Sequence, residues 1–218
     1  MIEKLRLELE NLLEEYGCRE LPEDGYTHMK YPKLVPLMYF HVKQYRLEGF
    51  GNMMIMHTVT KMKMELLTVS VMPGEGRVMP FALIDAMTMK DKRCVFVEYY
   101  GCSRDEHNDA KLKEVYDRYK HLEDYPEKDK WYVHERQDYS LIKKGSSEEL
   151  VSMAVDSLKA YLDSIKGSKK DDSYKNDLKA FRERMIVEGN PSSSTLNMLL
   201  GKDGARKFME DVVMPVND

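Results

Sequence analysis

The sequence has few cysteines, one tryptophan and no long apolar run among its 218 residues. The three cysteines, Cys18, Cys94 and Cys102, are an odd number, unlike the even set of a disulfide framework, and they lack the paired spacing of a zinc knuckle. This pattern indicates a reducing compartment. No run approaches the ~18 consecutive apolar residues that a membrane span needs, and the N-terminal segment lacks the pattern of a signal peptide. We therefore expect a cytoplasmic protein without a membrane partner.

The sequence also lacks a large excess of charge of either sign. The chain has 34 Lys plus Arg against 38 Asp plus Glu, so its formal net charge at pH 7 is -4. This balance gives no broad positive field of the kind that nucleic-acid binding requires. Hydrophobic residues make up 42% and charged residues 33%, a composition that excludes both a membrane protein and a disordered chain. At ~100–200 residues per domain, the length predicts a single domain over residues 1–218.

What the sequence does contain is a block of strand patterns between helical patterns. Apolar residues recur at helical spacing from Ile2 to Tyr16. From Val35 to Val97, β-branched and aromatic stretches are separated by glycine and proline at intervals suited to antiparallel hairpins, which predicts four or five strands. Beyond this block, the sequence predicts a helix at about 107–120, a strand at 139–142, a helix that starts near Ser147, and helices at about 173–187, 191–200 and 202–212. This order predicts an α/β fold, a three-layer α/β/α sandwich with a central antiparallel sheet.

General catalytic motifs do not occur in the sequence. There is no GxGxxG, Walker, HExxH, GxSxG or CxxC string. The sequence therefore gives no support for a nucleotide-binding loop, a zinc-dependent hydrolase or the nucleophile turn of an α/β-hydrolase. The six histidines are scattered, and none lies four residues from a second metal-ligand type in a convincing cluster. We predict no metal site.

Three parts of the sequence resemble a known family. Leu66–Pro73 (LLTVSVMP) is followed after a turn by Met79–Asp85, and Asn190–Gly201 (NPSSSTLNMLLG) is followed by Ala205–Pro215. Asp138–Lys144 lies between them. All resemble the corresponding parts of the ferredoxin-dependent bilin reductases, of which the chain looks like a divergent member. The resemblance implies an antiparallel sheet between two helical layers, in agreement with the order of the predicted elements.

The resemblance also implies a function and a set of partners. The family reduces biliverdin-type linear tetrapyrroles without a bound flavin or metal, using electrons from an external reduced ferredoxin or flavodoxin. Side-chain carboxyl groups supply the protons. The protein would therefore need an apolar slot, a titratable acid and cations for the propionates of the substrate. The double bond that is reduced does not follow from the sequence.

Three polar residues correspond to catalytic positions of the family. Asp85 stands where the family has its central proton-donating aspartate; in apolar surroundings the pKa of such a carboxyl rises, although an aspartate here could also simply cap a turn. Thr68 takes the position of a histidine that shares the proton network, and threonine cannot act as an acid at neutral pH. Asn190 stands where many members have a second aspartate, and before Pro191 it could equally be a helix N-cap.

Two further groups are candidates for binding. We expect the substrate to contact six residues, namely Met54, Met56, Lys92, Arg93, Lys128 and Lys130. The methionines suit a yielding slot, yet methionine on a strand is also ordinary core, and the cations could be plain surface. An acidic ferredoxin would dock on a local basic patch, for which the candidates are Lys143, Lys144, Lys202, Arg206 and Lys207.

Two other functions remain open. The family often has a glutamate near Met54 or Met56, so both this glutamate and the histidine at position 68 are missing. Their loss favours a tetrapyrrole-binding or carrier protein that does no chemistry. A third possibility is an interaction module without a small ligand.

Overall fold

A computed structural model describes residues 1–74, 76–101 and 106–216, and the side chains of residues 106–108 are not part of the description. Cys102 lies outside these ranges. Among the described residues, no helix has the length and apolarity needed to cross a membrane.

Five long strands form an antiparallel meander, as the strand patterns between residues 35 and 97 predict. They are β3 (Met38–Leu47), β4 (Gly51–Thr60), β5 (Met64–Pro73), β6 (Phe81–Met89) and β7 (Lys92–Tyr100). Four shorter strands complete the sheet: β1 (Arg19–Glu20), β2 (His28–Tyr31), β8 (Glu123–Asp124) and β9 (Leu141–Lys144). The nine-stranded sheet has the order β1-β3-β4-β5-β6-β7-β9-β8, and β2 also pairs with β3. All pairings are antiparallel.

Helices cover both faces of this sheet. One face packs against α1 (Ile2–Glu15) and α4 (Ser147–Lys166), and α2 (Glu106–Tyr119) packs on α4. The other face packs against the C-terminal helical layer, which consists of α5 (Tyr174–Val187), α6 (Ser193–Phe208) and a π-helical turn at Met209–Val213. A short helix, α3 (Trp131–His134), lies in the connection between β8 and β9. The predicted three-layer α/β/α sandwich is confirmed.

Side-chain alternation divides the core into two apolar layers. On β6, Ala82, Ile84 and Ala86 face the α1 and α4 layer, whereas Phe81 and Leu83 face the C-terminal helical layer. Successive side chains of a strand point to opposite faces, so a polar residue at position 85 must face the C-terminal helical layer. The strand pattern therefore determines which layer can form a site with Asp85.

Several predicted boundaries shift. The strand expected at 139–142 is β9 at Leu141–Lys144, because Tyr139 has a positive φ of 71° and cannot continue extended backbone. The helices expected at 191–200 and 202–212 form α6, which is bent where Gly201 takes φ 73° and ψ 170°, followed by the π-helical turn. Helix α4 begins as predicted, with the Ser146 hydroxyl accepting a hydrogen bond from the Glu149 amide.

Candidate functional site

An apolar cavity lies between the sheet and the C-terminal helical layer. Strands β4, β5 and β6 form its floor through Met54, Met56, Thr68, Phe81, Leu83 and Asp85. Its roof consists of Met185, Asn190, Pro191, Ser192, Leu196, Phe208, Met209, Val213 and Met214. The three residues that the resemblance marks as catalytic therefore line one cavity.

Asp85 and Thr68 are direct neighbours in this floor. The pairing of β5 with β6 places Thr68 opposite Asp85, and the Thr68 hydroxyl donates a hydrogen bond of 2.5 Å to Asp85 Oδ1. Burial raises the pKa of Asp85 from its ordinary 3.8 to about 7, the Thr68 hydrogen bond acts in the opposite direction, and the charge of Glu98 adds to the rise. A carboxyl with this pKa can hold its proton near neutral pH.

Methionine is the most frequent residue type in the apolar lining. Met54 and Met56 contribute from β4, and Met56 pairs directly with Thr68. Met185, Met209 and Met214 face them from the helical layer. Flexible thioether side chains can rearrange around ligands of varied shape more easily than branched ones. The predicted contacts of Met54 and Met56 with substrate remain predictions, since both also belong to the buried core.

Asn190 is held by the turn that precedes α6. Its side-chain Oδ1 accepts a hydrogen bond of 2.9 Å from the Ser192 amide, and its Nδ2 donates to the Met185 carbonyl at 3.1 Å. Helix α6 begins at Ser193, so Asn190 stabilises the preceding turn and is not the N-cap itself. It lines the cavity while its side-chain amide is committed to the backbone around it.

The structure places a buried carboxylate next to this floor that the sequence analysis did not predict. Glu98 on β7 is 2% exposed. It pairs with Leu83, two residues before Asp85 on β6, and so lies on the same sheet face as Asp85. It accepts hydrogen bonds of 2.7 Å from the Tyr100 hydroxyl and from Arg136 Nε. Burial raises the pKa of Glu98, and Arg136 and Tyr100 oppose this rise. The signal that could have found Glu98 is a charged residue within an otherwise apolar and aromatic strand.

The cations predicted to bind propionates lie outside the lining of this cavity. Lys92 and Arg93 line a separate surface cleft with Glu123 and Lys144. Lys128 and Lys130 are exposed in the connection before α3. Their role in substrate binding stays a prediction.

The candidate basic patch for a ferredoxin needs one correction. Lys143 is 5% exposed, and its Nζ donates to the carbonyls of Lys120 and Leu122 and to Asp124 Oδ1. It is therefore a structural residue that cannot contact a partner, because strand alternation on β9 turns its side chain towards the helical layer of α1 and α4. Lys144 and Arg206 are engaged in ion pairs with acidic neighbours, whereas Lys202 and Lys207 are exposed.

The cavity is small and adjoins a larger surface cleft. Its volume is about 30 Å³, about the space of one water molecule. The outer cleft has a volume of about 370 Å³, and Asn190, Leu196 and Met209 line both spaces. These three residues form a wall between the cavity and the outer cleft. In the described part of the chain, no three His, Cys, Asp or Glu side chains are grouped to hold a metal ion.

Comparison with known proteins supports the architecture. No family model matches the chain, and the search of curated proteins finds no match in sequence. Among solved structures, the phytochromobilin synthase from tomato in complex with biliverdin superposes with a TM-score of 0.70 at 11% sequence identity. The match covers 97% of this chain and 81% of the tomato chain. The chain thus has the fold of phytochromobilin synthase, an enzyme of the bilin reductase family that its sequence resembles.

Proposed function

We propose that the protein is an oxidoreductase that reduces a biliverdin-like linear tetrapyrrole with electrons from a ferredoxin or flavodoxin and without a bound cofactor. The observation that supports this most directly is the Asp85 carboxyl, which has a pKa of about 7 and lines an apolar cavity between sheet and helices. The fold is that of a synthase crystallised with biliverdin.

The proposed reaction needs one proton donor that can be recharged. Reduction of one carbon–carbon double bond takes two electrons from the external donor and two protons. Asp85 gives a proton to the reduced ligand and takes the next one from water, which a pKa near neutrality allows in both directions. The Thr68 hydroxyl orients Oδ1 and does not itself supply a proton.

A tetrapyrrole can occupy this site only if the wall moves. The cavity of about 30 Å³ is far below the ~300–1,000 Å³ of ordinary ligand pockets. Displacing the wall of Asn190, Leu196 and Met209 would join the cavity to the outer cleft. Lys202 and Arg206 line that cleft and are the cations that a ligand carboxylate would meet there.

Two unpartnered hydroxyl groups on the same sheet face, outside the cavity lining, also favour a polar ligand. Thr58 and Ser70 are buried on the sheet face that carries Asp85, and their hydroxyls have no hydrogen-bond partner among the described residues. An unpaired buried hydroxyl is unfavourable by about 1–3 kcal/mol. Pyrrole nitrogens and lactam oxygens of a linear tetrapyrrole lying along this face would supply partners.

The second candidate is a tetrapyrrole carrier with the same site. Thr68, Met54 and Met56 cannot supply protons, so Asp85 is the titratable group in the cavity lining. A site with so few proton donors favours binding without reduction. Binding without reduction is the outcome that separates this candidate from the enzyme. Failure to bind any linear tetrapyrrole would instead favour an interaction module.

The test is anaerobic mixing of the protein with biliverdin and a reduced ferredoxin system, followed by absorption spectroscopy and product analysis. We expect a shifted absorption band on binding and then loss of the biliverdin band with formation of a reduced product. Asp85→Asn is expected to bind with the shifted band but to react ~10²–10⁴-fold more slowly, the usual loss on removal of a general acid. Asp156→Asn, which alters a carboxylate paired with Arg118 on α2, is the matched control.

Two results would contradict the proposal. A stable shifted band without product in the unaltered protein would establish the carrier. Equal turnover of Asp85→Asn and Asp156→Asn would leave an enzyme whose acid is a different group.

A further inference from the structure

Two neighbouring turns at one end of the sheet expose large aliphatic side chains. The connection between β2 and β3 presents Leu34, Val35 and Leu37, and the turn between β4 and β5 presents Met62. Leu34 is 96% and Met62 84% exposed. The two turns are joined by a hydrogen bond of 2.9 Å from the Lys61 amide to the Leu37 carbonyl. We call Leu34, Val35, Leu37 and Met62 the apolar tip.

Lysines surround the apolar tip. Lys30 and Lys33 flank it on the β2 side, and Lys61 and Lys63 enclose Met62; all four are exposed. None of the four forms an ion pair with a described residue, although a carboxylate, Glu65, follows two residues after Lys63. A chain with a net charge of -4 thus concentrates unpaired positive charge around its most exposed aliphatic side chains.

The next turn along the sheet extends this surface. Met89 pairs with Met64, so the turn between β6 and β7 lies at the same end of the sheet. It exposes Met89 together with Lys90 and Lys92, and Asp91 is its acidic residue. Three successive turns therefore combine exposed aliphatic groups with an excess of lysine.

We propose that the apolar tip docks on an anionic lipid surface. Leucine and valine are under-represented among the residues that dominate protein–protein binding, and lysine is depleted from such interfaces. At a bilayer, by contrast, aliphatic side chains enter the boundary between headgroups and acyl chains while lysines extend to the anionic headgroups. The binding is peripheral and needs no spanning helix; it departs from the expectation of a protein without a membrane partner.

The test is sedimentation of the protein with vesicles of phosphatidylcholine alone or of phosphatidylcholine mixed with phosphatidylserine. We expect sedimentation with the mixed vesicles that weakens as salt is raised. Lys61→Gln with Lys63→Gln is expected to weaken partition by about thirtyfold, since one lysine near an anionic surface contributes about fivefold. Leu34→Ser with Met62→Ser is expected to weaken it at every salt concentration.

Matched controls change the same residue types elsewhere. Val187→Ser alters an exposed aliphatic side chain on α5, and Lys128→Gln with Lys130→Gln removes two exposed lysines before α3. These controls are expected to sediment like the unaltered protein, and thermal unfolding checks that every variant is folded. No sedimentation with mixed vesicles would overturn the proposal, as would sedimentation that the tip variants and the controls affect equally. Binding to an acidic polypeptide without binding to vesicles would assign the surface to a protein partner and also overturn it.

Discussion

Replacing Asp85 by asparagine is expected to change how the stability of the protein depends on pH. The pKa of Asp85 rises from an ordinary 3.8 to about 7 in the folded protein because the carboxyl is buried. The folded state therefore holds this proton over a pH range in which the unfolded chain releases it. Stability from this group is complete below the unfolded pKa and is lost as pH rises towards the folded pKa.

The magnitude follows from the two pKa values. Each tenfold change in proton affinity is worth about 1.4 kcal/mol, so the loss over the whole range is about 4 kcal/mol. Between about pH 5 and about pH 8, the unaltered protein is expected to lose about 2.5 kcal/mol of unfolding free energy relative to Asp85→Asn. The asparagine keeps the size of the side chain and cannot ionise, so this difference isolates the proton.

Urea unfolding of both proteins across this pH range provides the measurement. Glu98 has a raised pKa as well, but it is present in both proteins and its contribution largely cancels in the difference. Asp156→Asn serves as the control for loss of a partly exposed carboxylate that pairs with Arg118. Parallel pH profiles for Asp85→Asn and the unaltered protein would refute the account of a buried, protonated carboxyl, and so would a relative gain of the unaltered protein at high pH.

Three further changes test the surroundings of this group and the fold. Thr68→Val removes the hydroxyl that donates to Asp85 and is expected to raise the pKa of Asp85 further, measured by infrared titration of the carboxyl; an unchanged pKa would show that this hydrogen bond does not form. Glu98→Gln removes the buried carboxylate from the Arg136 ion pair, while Glu127 still pairs with the guanidinium. It is expected to destabilise the protein by about 2 kcal/mol in urea unfolding, whereas less than about 0.5 kcal/mol would contradict a desolvated pair. Ser146→Ala removes the α4 cap and is expected to lower the unfolding free energy by about 1 kcal/mol, with Ser146→Thr as a conservative control that retains most of it.

The long strands could be predicted from sequence because their signals are local. The β-branched and aromatic stretches between Val35 and Val97 repeat at hairpin spacing, and the observed strands β3 to β7 follow them. The two-residue strands β1 and β8 could not be predicted, because so short a segment has no period. They are defined by their pairing with β3 and β9.

The site residues also divide into those that the sequence could identify and those that it could not. Asp85, Thr68 and Asn190 could be identified because a family resemblance marks them, and the structure places them around one cavity. The pair of Glu98 and Arg136 joins residues 38 positions apart, and nothing in the local sequence shows which charges meet. Lys143 was a wrong candidate for docking because its burial depends on the carbonyls of Lys120 and Leu122, which no local pattern reveals.

The wall over the cavity has a kinetic consequence. Asn190, Leu196 and Met209 separate a space of about 30 Å³ from the outer cleft, so a tetrapyrrole that binds as proposed would enter only in molecules whose wall has moved aside. The observed association rate would then level off at high ligand concentration, at the rate of this opening, instead of rising without limit. Apparent affinity would be reduced by the fraction of time the wall is closed. A substitution that loosens the turn at Asn190 could thus tighten binding without touching the ligand.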